Sequence, residues 1–141
     1  MVLASYPIST SARGLGERFN SFQTPRGLHL IRAKIGDGQP LYTLFKARRP
    51  FTTLSWPLSP PLKAQYPDGI STRILWLCGL EIGFNRLGPV DSFNRKIYIH
   101  GTLAEEQLGQ PCSWGCIRMS NQAINELFKT VSVYTPLWIG D

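Results

Sequence analysis

Cys116 lies within Ser113-Trp114-Gly115-Cys116-Ile117-Arg118-Met119, and His100-Gly101-Thr102 stands a short way upstream. A cysteine thiol ordinarily titrates near pH ~8.5, so at neutrality it needs a base to become a nucleophile. The chain holds only two histidines, and His100 leads this constellation. Gly115 frees the backbone just before the thiol, so consecutive amides there can face a developing oxyanion. Arg118, two residues beyond the thiol, offers a planar cation suited to a substrate carboxylate. Thiol, base, amide cradle and cation together describe acyl transfer through a thioester. Cys116 would be the nucleophile, and His100 would take the thiol proton and return it to the leaving group.

The neighbouring residues each have a bland reading beside the chemical one. Most free cysteines are buried structural thiols, and a histidine at a strand end can simply be a satisfied core residue. Arg118 could instead form a structural ion pair, with Glu81 or Asp91 as candidate partners. Ser113 either bonds substrate or caps the turn. Cys112 could form a redox pair with Cys116 or share a metal with His100. A zinc site would need further ligands that the sequence does not offer, and the spacing is not Cys-x-x-Cys, so a pocket wall is the better reading. No metal or cofactor is expected. Cys78 sits in the most apolar run and reads as core, and His29 reads as a structural hydrogen-bonding residue.

These groups need a scaffold that holds them in register. Residues 95–100 read as a strand ending at His100. Its alternation puts Tyr98 and His100 on one face and Ile97 and Ile99 on the other, which makes Tyr98 a candidate substrate-binding residue. Residues 2–9, 28–35 and 41–47 read as strands, with Gly36-Asp37-Gly38 as a turn. Residues 72–80 form the most apolar run and read as a central strand. The proline- and serine-rich stretch 49–70 reads as a long loop, of the kind that forms lids or binding surfaces. Residues 103–108 fit a single helical turn. Ser120 is an N-cap candidate for a helix over 121–131, whose Ala123, Ile124, Leu127, Phe128 and Val131 share one side. Pro136 to Ile139 reads as a closing strand. The expected fold is mainly β and sandwich-like, with one supporting helix, in a single domain spanning residues 1–141.

Composition narrows the class. Hydrophobic content of 43% with 17% charged residues describes a globular chain, and 13 Gly with 11 Pro describe a turn-rich one. No apolar run approaches the ~18 residues of a membrane-spanning helix. Net charge is +6, yet the basic residues are scattered, with Lys46, Arg48 and Arg49 the densest group. Scattered charge disfavours a nucleic-acid reading and suits either solubility or acidic ligands. Met1 leads straight into Val2-Leu3-Ala4-Ser5-Tyr6-Pro7-Ile8-Ser9, with neither a basic segment nor a long apolar one. With three cysteines, an odd number that leaves a free thiol, this gives a cytoplasmic expectation; the alternative is a periplasmic protein whose leader lies outside this sequence.

The stretch from Ile97 to Ile139 resembles the catalytic core of the L,D-transpeptidase (YkuD-type) family, which remodels or trims peptidoglycan stem peptides. The family signature is His-Gly-Thr, an intervening stretch, then Ser-His-Gly-Cys followed by a hydrophobic residue and Arg. The matching residues are His100-Gly101-Thr102, Gly109, Pro111, Ser113, Gly115-Cys116-Ile117-Arg118-Met119 and Asn121. In the N-terminal third the resemblance continues through Val2 to Ser11, Gly14-Leu15-Gly16, Thr24-Pro25, Gly27, His29 and Lys34-Ile35-Gly36. It implies the same β-rich fold, an orienting role for the Gly101 carbonyl on His100, and oxyanion-hole amides at Trp114, Gly115 and Cys116. It also implies a stem peptide or muropeptide as partner, with Arg118, Ser113 and Tyr98 as binding residues. Trp114 departs from the family's histidine, which removes an imidazole but keeps the backbone amide. Within that family, the absence of a leader-like segment at the start of this sequence and the basic charge favour an L,D-carboxypeptidase that removes the terminal D-Ala of tetrapeptides in murein recycling. An L,D-transpeptidase is the alternative, and an inactive wall-fragment binding module is a third reading. Oligomeric state is left open.

Overall fold

The computed structural model describes all 141 residues. In chain order the elements are β1 (Gly27–Ile35), β2 (Thr43–Lys46), β3 (Arg49–Thr53), α1 (Pro60–Gln65), β4 (Ile70–Gly79), β5 (Tyr98–Thr102), β6 (Ile117–Met119), α2 (Asn121–Thr130) and β7 (Pro136–Ile139). Single 3₁₀ turns occur at Gly88–Val90 and Glu105–Gln107. All seven strands join one sheet. β4 is its spine: β1 pairs with its second half, β2 with its first residues, and β5 with both. β3 and β7 extend the sheet outward from β2 and β1. Every pairing is antiparallel except that of β5 with β6.

Period-two alternation separates two chemically different faces. Leu75 and Leu77 of β4 join Ile31, Ile99, Ile117, Met119 and Ile139 on one face, where Ala123, Ile124 and Phe128 of α2 cover them. Each fully buried aliphatic or aromatic side chain there contributes about 1.5–3 kcal/mol, so this face carries most of the stability. The opposite face holds Phe45, Ile74 and Tyr98, with Ile35, Ile70, Trp76 and Cys116 packed against them. The candidate nucleophile therefore sits on the face away from α2.

The mainly β architecture and its supporting helix match expectation. Ser120 caps α2 by accepting the Ala123 N–H at 3.1 Å. Four local expectations are corrected. Residues 2–9 are not a strand: Val2 and Leu3 are exposed, Pro7 lacks an N–H, and of these residues only Ser9 forms a bridge to another segment. Residues 49–70 are not all loop. Pro50 is tolerated because β3 is an edge strand, and Pro60 and Pro61 open α1, where free N–H groups have no helical partner. The strand containing His100 begins at Tyr98 and runs on to Thr102, because Lys96 has φ of 58° and ends a turn held by Asp91. Of the helical turn expected over 103–108, only Glu105–Gln107 is helical. No helix is long and apolar enough to cross a membrane.

Candidate active site

β5 and β6 deliver the two reactive groups. His100 lies opposite Ile74 of β4 on one side and Arg118 of β6 on the other. Cys116 immediately precedes β6. Its sulfur accepts the Tyr98 N–H at 3.3 Å, and its S–H points to the Lys96 carbonyl at 3.5 Å. His100 Nδ1 lies 2.6 Å from the Gly101 carbonyl. A carbonyl only accepts, so Nδ1 carries the proton and Nε2 keeps its lone pair. Nε2 has no hydrogen-bond partner within the protein.

Both groups are neutral at rest. Burial pushes the His100 imidazole down to about 4, with the Arg118 charge pushing the same way and the Gly101 bond opposing. Burial pushes the Cys116 thiol up to about 11, against the Tyr98 N–H and the charges of Arg118 and Arg95. At pH 7 the pair is thus thiol and imidazole, not thiolate and imidazolium. An imidazole of this kind acts by accepting the proton as attack occurs.

The loop before Cys116 is fastened from several directions. Ser113 Oγ donates to the Cys116 carbonyl at 2.6 Å and accepts the Gly115 N–H at 3.2 Å. Thr24 Oγ1 donates to the Gly115 carbonyl and accepts the Ser11 N–H, both at 3.0 Å. Gly115 has φ of +126°, and a Cβ there would lie 3.2 Å from the Gln23 carbonyl oxygen. That carbonyl is in turn held by Arg95 Nη2 at 2.6 Å. Of the three amides read as an oxyanion hole, Gly115's already has an acceptor in Ser113. Those of Trp114 and Cys116 have none. The Trp114 side chain is 57% exposed and meets Phe22 edge-on at 5.7 Å.

Arg118 is 4% exposed, and its Nη2 donates to Asp68 Oδ1 at 3.0 Å. The expected partners are engaged elsewhere: Glu81 accepts the Leu28 N–H and Asp91 the Leu87 and Asn94 N–H groups. Arg118 Nη1 approaches the Cys112 sulfur at 3.8 Å, so Cys112 lines the wall near the cation. Tyr98 does face the site side, and its hydroxyl accepts from Arg48 Nη1 at 3.1 Å. Ser113 fills the turn-capping role. His29 is buried between the Gly27 carbonyl and Ser92 Oγ, a structural residue as expected. All three cysteines are free.

Four residues at the site were given no role by the sequence reading: Thr24, Arg95, Asp68 and Arg48. The first three act through contacts between distant parts of the chain. Arg48 left a faint trace. It follows Ala47 in the two-residue connection of β2 and β3, where glycine or asparagine is usual.

Comparison with known proteins agrees with this geometry. The model of the L,D-transpeptidase catalytic domain matches residues 2–139. A putative L,D-transpeptidase, YqjB, of Bacillus subtilis is 44% identical over 61 residues, covering 43% of this chain and 32% of that protein. An L,D-transpeptidase from Mycobacterium smegmatis superposes with a TM-score of 0.52 at 19% identity, covering 99% of this chain and 50% of the other. L,D-transpeptidase 3 from Mycobacterium tuberculosis, crystallised with a faropenem-derived adduct, gives 0.54 at 15% identity, covering 100% and 48%. The chain thus spans about a third of the curated relative and about half of the solved structures. The match over nearly every residue, on a sheet that brings Cys116 and His100 to one face, places this chain in the L,D-transpeptidase catalytic domain family.

Proposed function

We propose that this domain is a cysteine acyl-transfer enzyme acting on peptidoglycan stem peptides, and that it works as an L,D-carboxypeptidase. The observation that carries the reading is geometric: Cys116 and His100 lie on one sheet face, and His100 Nδ1 is committed to the Gly101 carbonyl, leaving Nε2 as base. In the reaction Cys116 Sγ attacks the carbonyl of the bond between an L-centre and the terminal D-Ala. The thiol proton passes to His100 Nε2 as the S–C bond forms. The Trp114 and Cys116 amides donate to the oxyanion. The C–N bond then breaks, His100 returns the proton to the amine of D-Ala, and the acyl group remains as a thioester. Water, deprotonated by His100, releases it as a shortened peptide.

Trp114, where the family has histidine, is compatible with the loss of an amine-acceptor site. Transpeptidation is the second reading, favoured by the family as a whole. The test is mass spectrometry of products from a disaccharide-tetrapeptide, with and without an added D-amino acid, beside a Cys116→Ala control. Loss of D-Ala alone supports the carboxypeptidase. Incorporation of the D-amino acid, or a cross-linked dimer, supports the transpeptidase. No product, and no covalent adduct with a penem, sinks both.

A further inference from the structure

Two of the arginines near the site, Arg118 and Arg48, differ in what they have left to give. Arg118 is buried and ion-paired with Asp68. Arg48 is half-buried, and no carboxylate lies within ion-pairing distance of it. Its guanidinium is nevertheless fixed. Nη1 donates to the Tyr98 hydroxyl at 3.1 Å, and the planar cation lies over the Trp76 ring at 4.7 Å. Trp76 is itself held, stacked on Phe93 at 4.1 Å with its Nε1 donating to the Phe93 carbonyl at 3.0 Å. Tyr98 links this cation to the nucleophile, because the same residue's N–H donates to Cys116 Sγ.

The backbone bearing Arg48 breaks a local rule. Ala47 and Arg48 have φ of 49° and 64°, the left-handed region that two-residue hairpins reserve for glycine, asparagine or aspartate. Neither residue suits it, and each costs on steric grounds. Such conflicts between local preference and fold concentrate at functional positions. A glycine in place of Arg48 would ease the turn and remove the cation from above Trp76.

We propose that Arg48 is a specificity residue that binds a substrate carboxylate Arg118 does not reach, presenting its remaining N–H donors on the sheet face that carries Cys116. The inference rests on the stem-peptide reading above, since such peptides carry several carboxylates. A guanidinium preorganised by an aromatic face and a hydroxyl loses little freedom on binding, and its fork matches a carboxylate.

The test is calorimetric binding of a tetrapeptide stem to Cys116→Ala protein, against analogues amidated at one carboxylate at a time. One particular amidation should weaken binding about tenfold or more. Arg48→Met, which keeps an apolar stem over Trp76, should erase that discrimination, and Arg48→Lys should restore part of it. If no single amidation matters, if the preference survives in Arg48→Met, or if no stem peptide binds, the inference is overturned. Turnover by the unaltered protein is scored separately. Discrimination without turnover sinks the carboxypeptidase reading and leaves Arg48 its role, whereas turnover without discrimination does the reverse.

Discussion

Arg118 sits across from His100 in the parallel ladder of β5 and β6, and its charge acts on both members of the acyl-transfer pair. It opposes protonation of the imidazole and favours ionisation of the thiol. Burial acts more strongly on each, so the imidazole falls and the thiol rises. The two titrations are pulled far apart, with the neutral pair between them.

The rate at which a penem acylates Cys116 should therefore be flat across neutral pH. Its acid limb should fall near 4, not near the ordinary imidazole value of 6.5, and its alkaline limb near 11. Intact-mass kinetics across buffers would show this. An acid limb near the ordinary imidazole value would mean that His100 is not the base, or that it is far better hydrated than its burial implies.

Arg118→Gln should move both limbs to higher pH. Without the cation the imidazolium is less disfavoured, so the His100 limb rises, while the thiolate loses an attractive charge, so the thiol limb also rises. The same kinetic series would read the displacement. Limbs that shift in opposite directions would contradict a single charge acting on both groups.

Stability should carry the mark of the buried histidines. His100 binds its proton near 4 when folded and near 6.5 when unfolded, and His29 is lowered in the same direction by burial. Between those values the unfolded chain holds more protons, so stability rises with pH through this window and is lost as pH falls through it. For His100 the full effect is about 3 kcal/mol. Urea midpoints measured between pH 4 and 7 should slope upward, and His100→Asn should flatten much of that slope.

Gly115→Ala should damage the site more than the fold. A side chain at φ of +126° is strained, at a cost of about 1–3 kcal/mol. The new Cβ also meets the Gln23 carbonyl at 3.2 Å, which turns the Trp114 and Cys116 amides away from their present direction. Acylation should slow by about 10²-fold or more if those amides form the oxyanion hole. A melting curve separates the two effects. A variant that melts lower yet acylates at the normal rate would remove the oxyanion role.

Much of this was legible in the chain itself, and the limits were physical. Tyr98 and His100 fell on one face because alternation along a strand is a short-range property. Ser120 announced α2 because capping is written in four consecutive residues. The proline run misled, since proline at an edge strand or at a helix start costs little, and sequence does not say where edges are. Val2 and Leu3 looked β-like but found no strand to join. The Asp68 partner of Arg118, and Arg95 behind Gln23, depend on chain segments dozens of residues apart meeting in space. Arg48 was visible only as one of several basic residues until its turn and its aromatic support could be seen.

The bridges from Ser9 to Arg118 and from Ser11 to Ser113 have a bearing on synthesis. The segment that steadies the Gly115 loop is made long before the loop itself. The nucleophile's surroundings are therefore assembled only after the loop has followed that segment out of the ribosome. Until then Cys116 is an ordinary solvated thiol, without the amides and the imidazole that would make it an acylating centre. A truncated nascent chain of this protein would be chemically silent toward amide bonds.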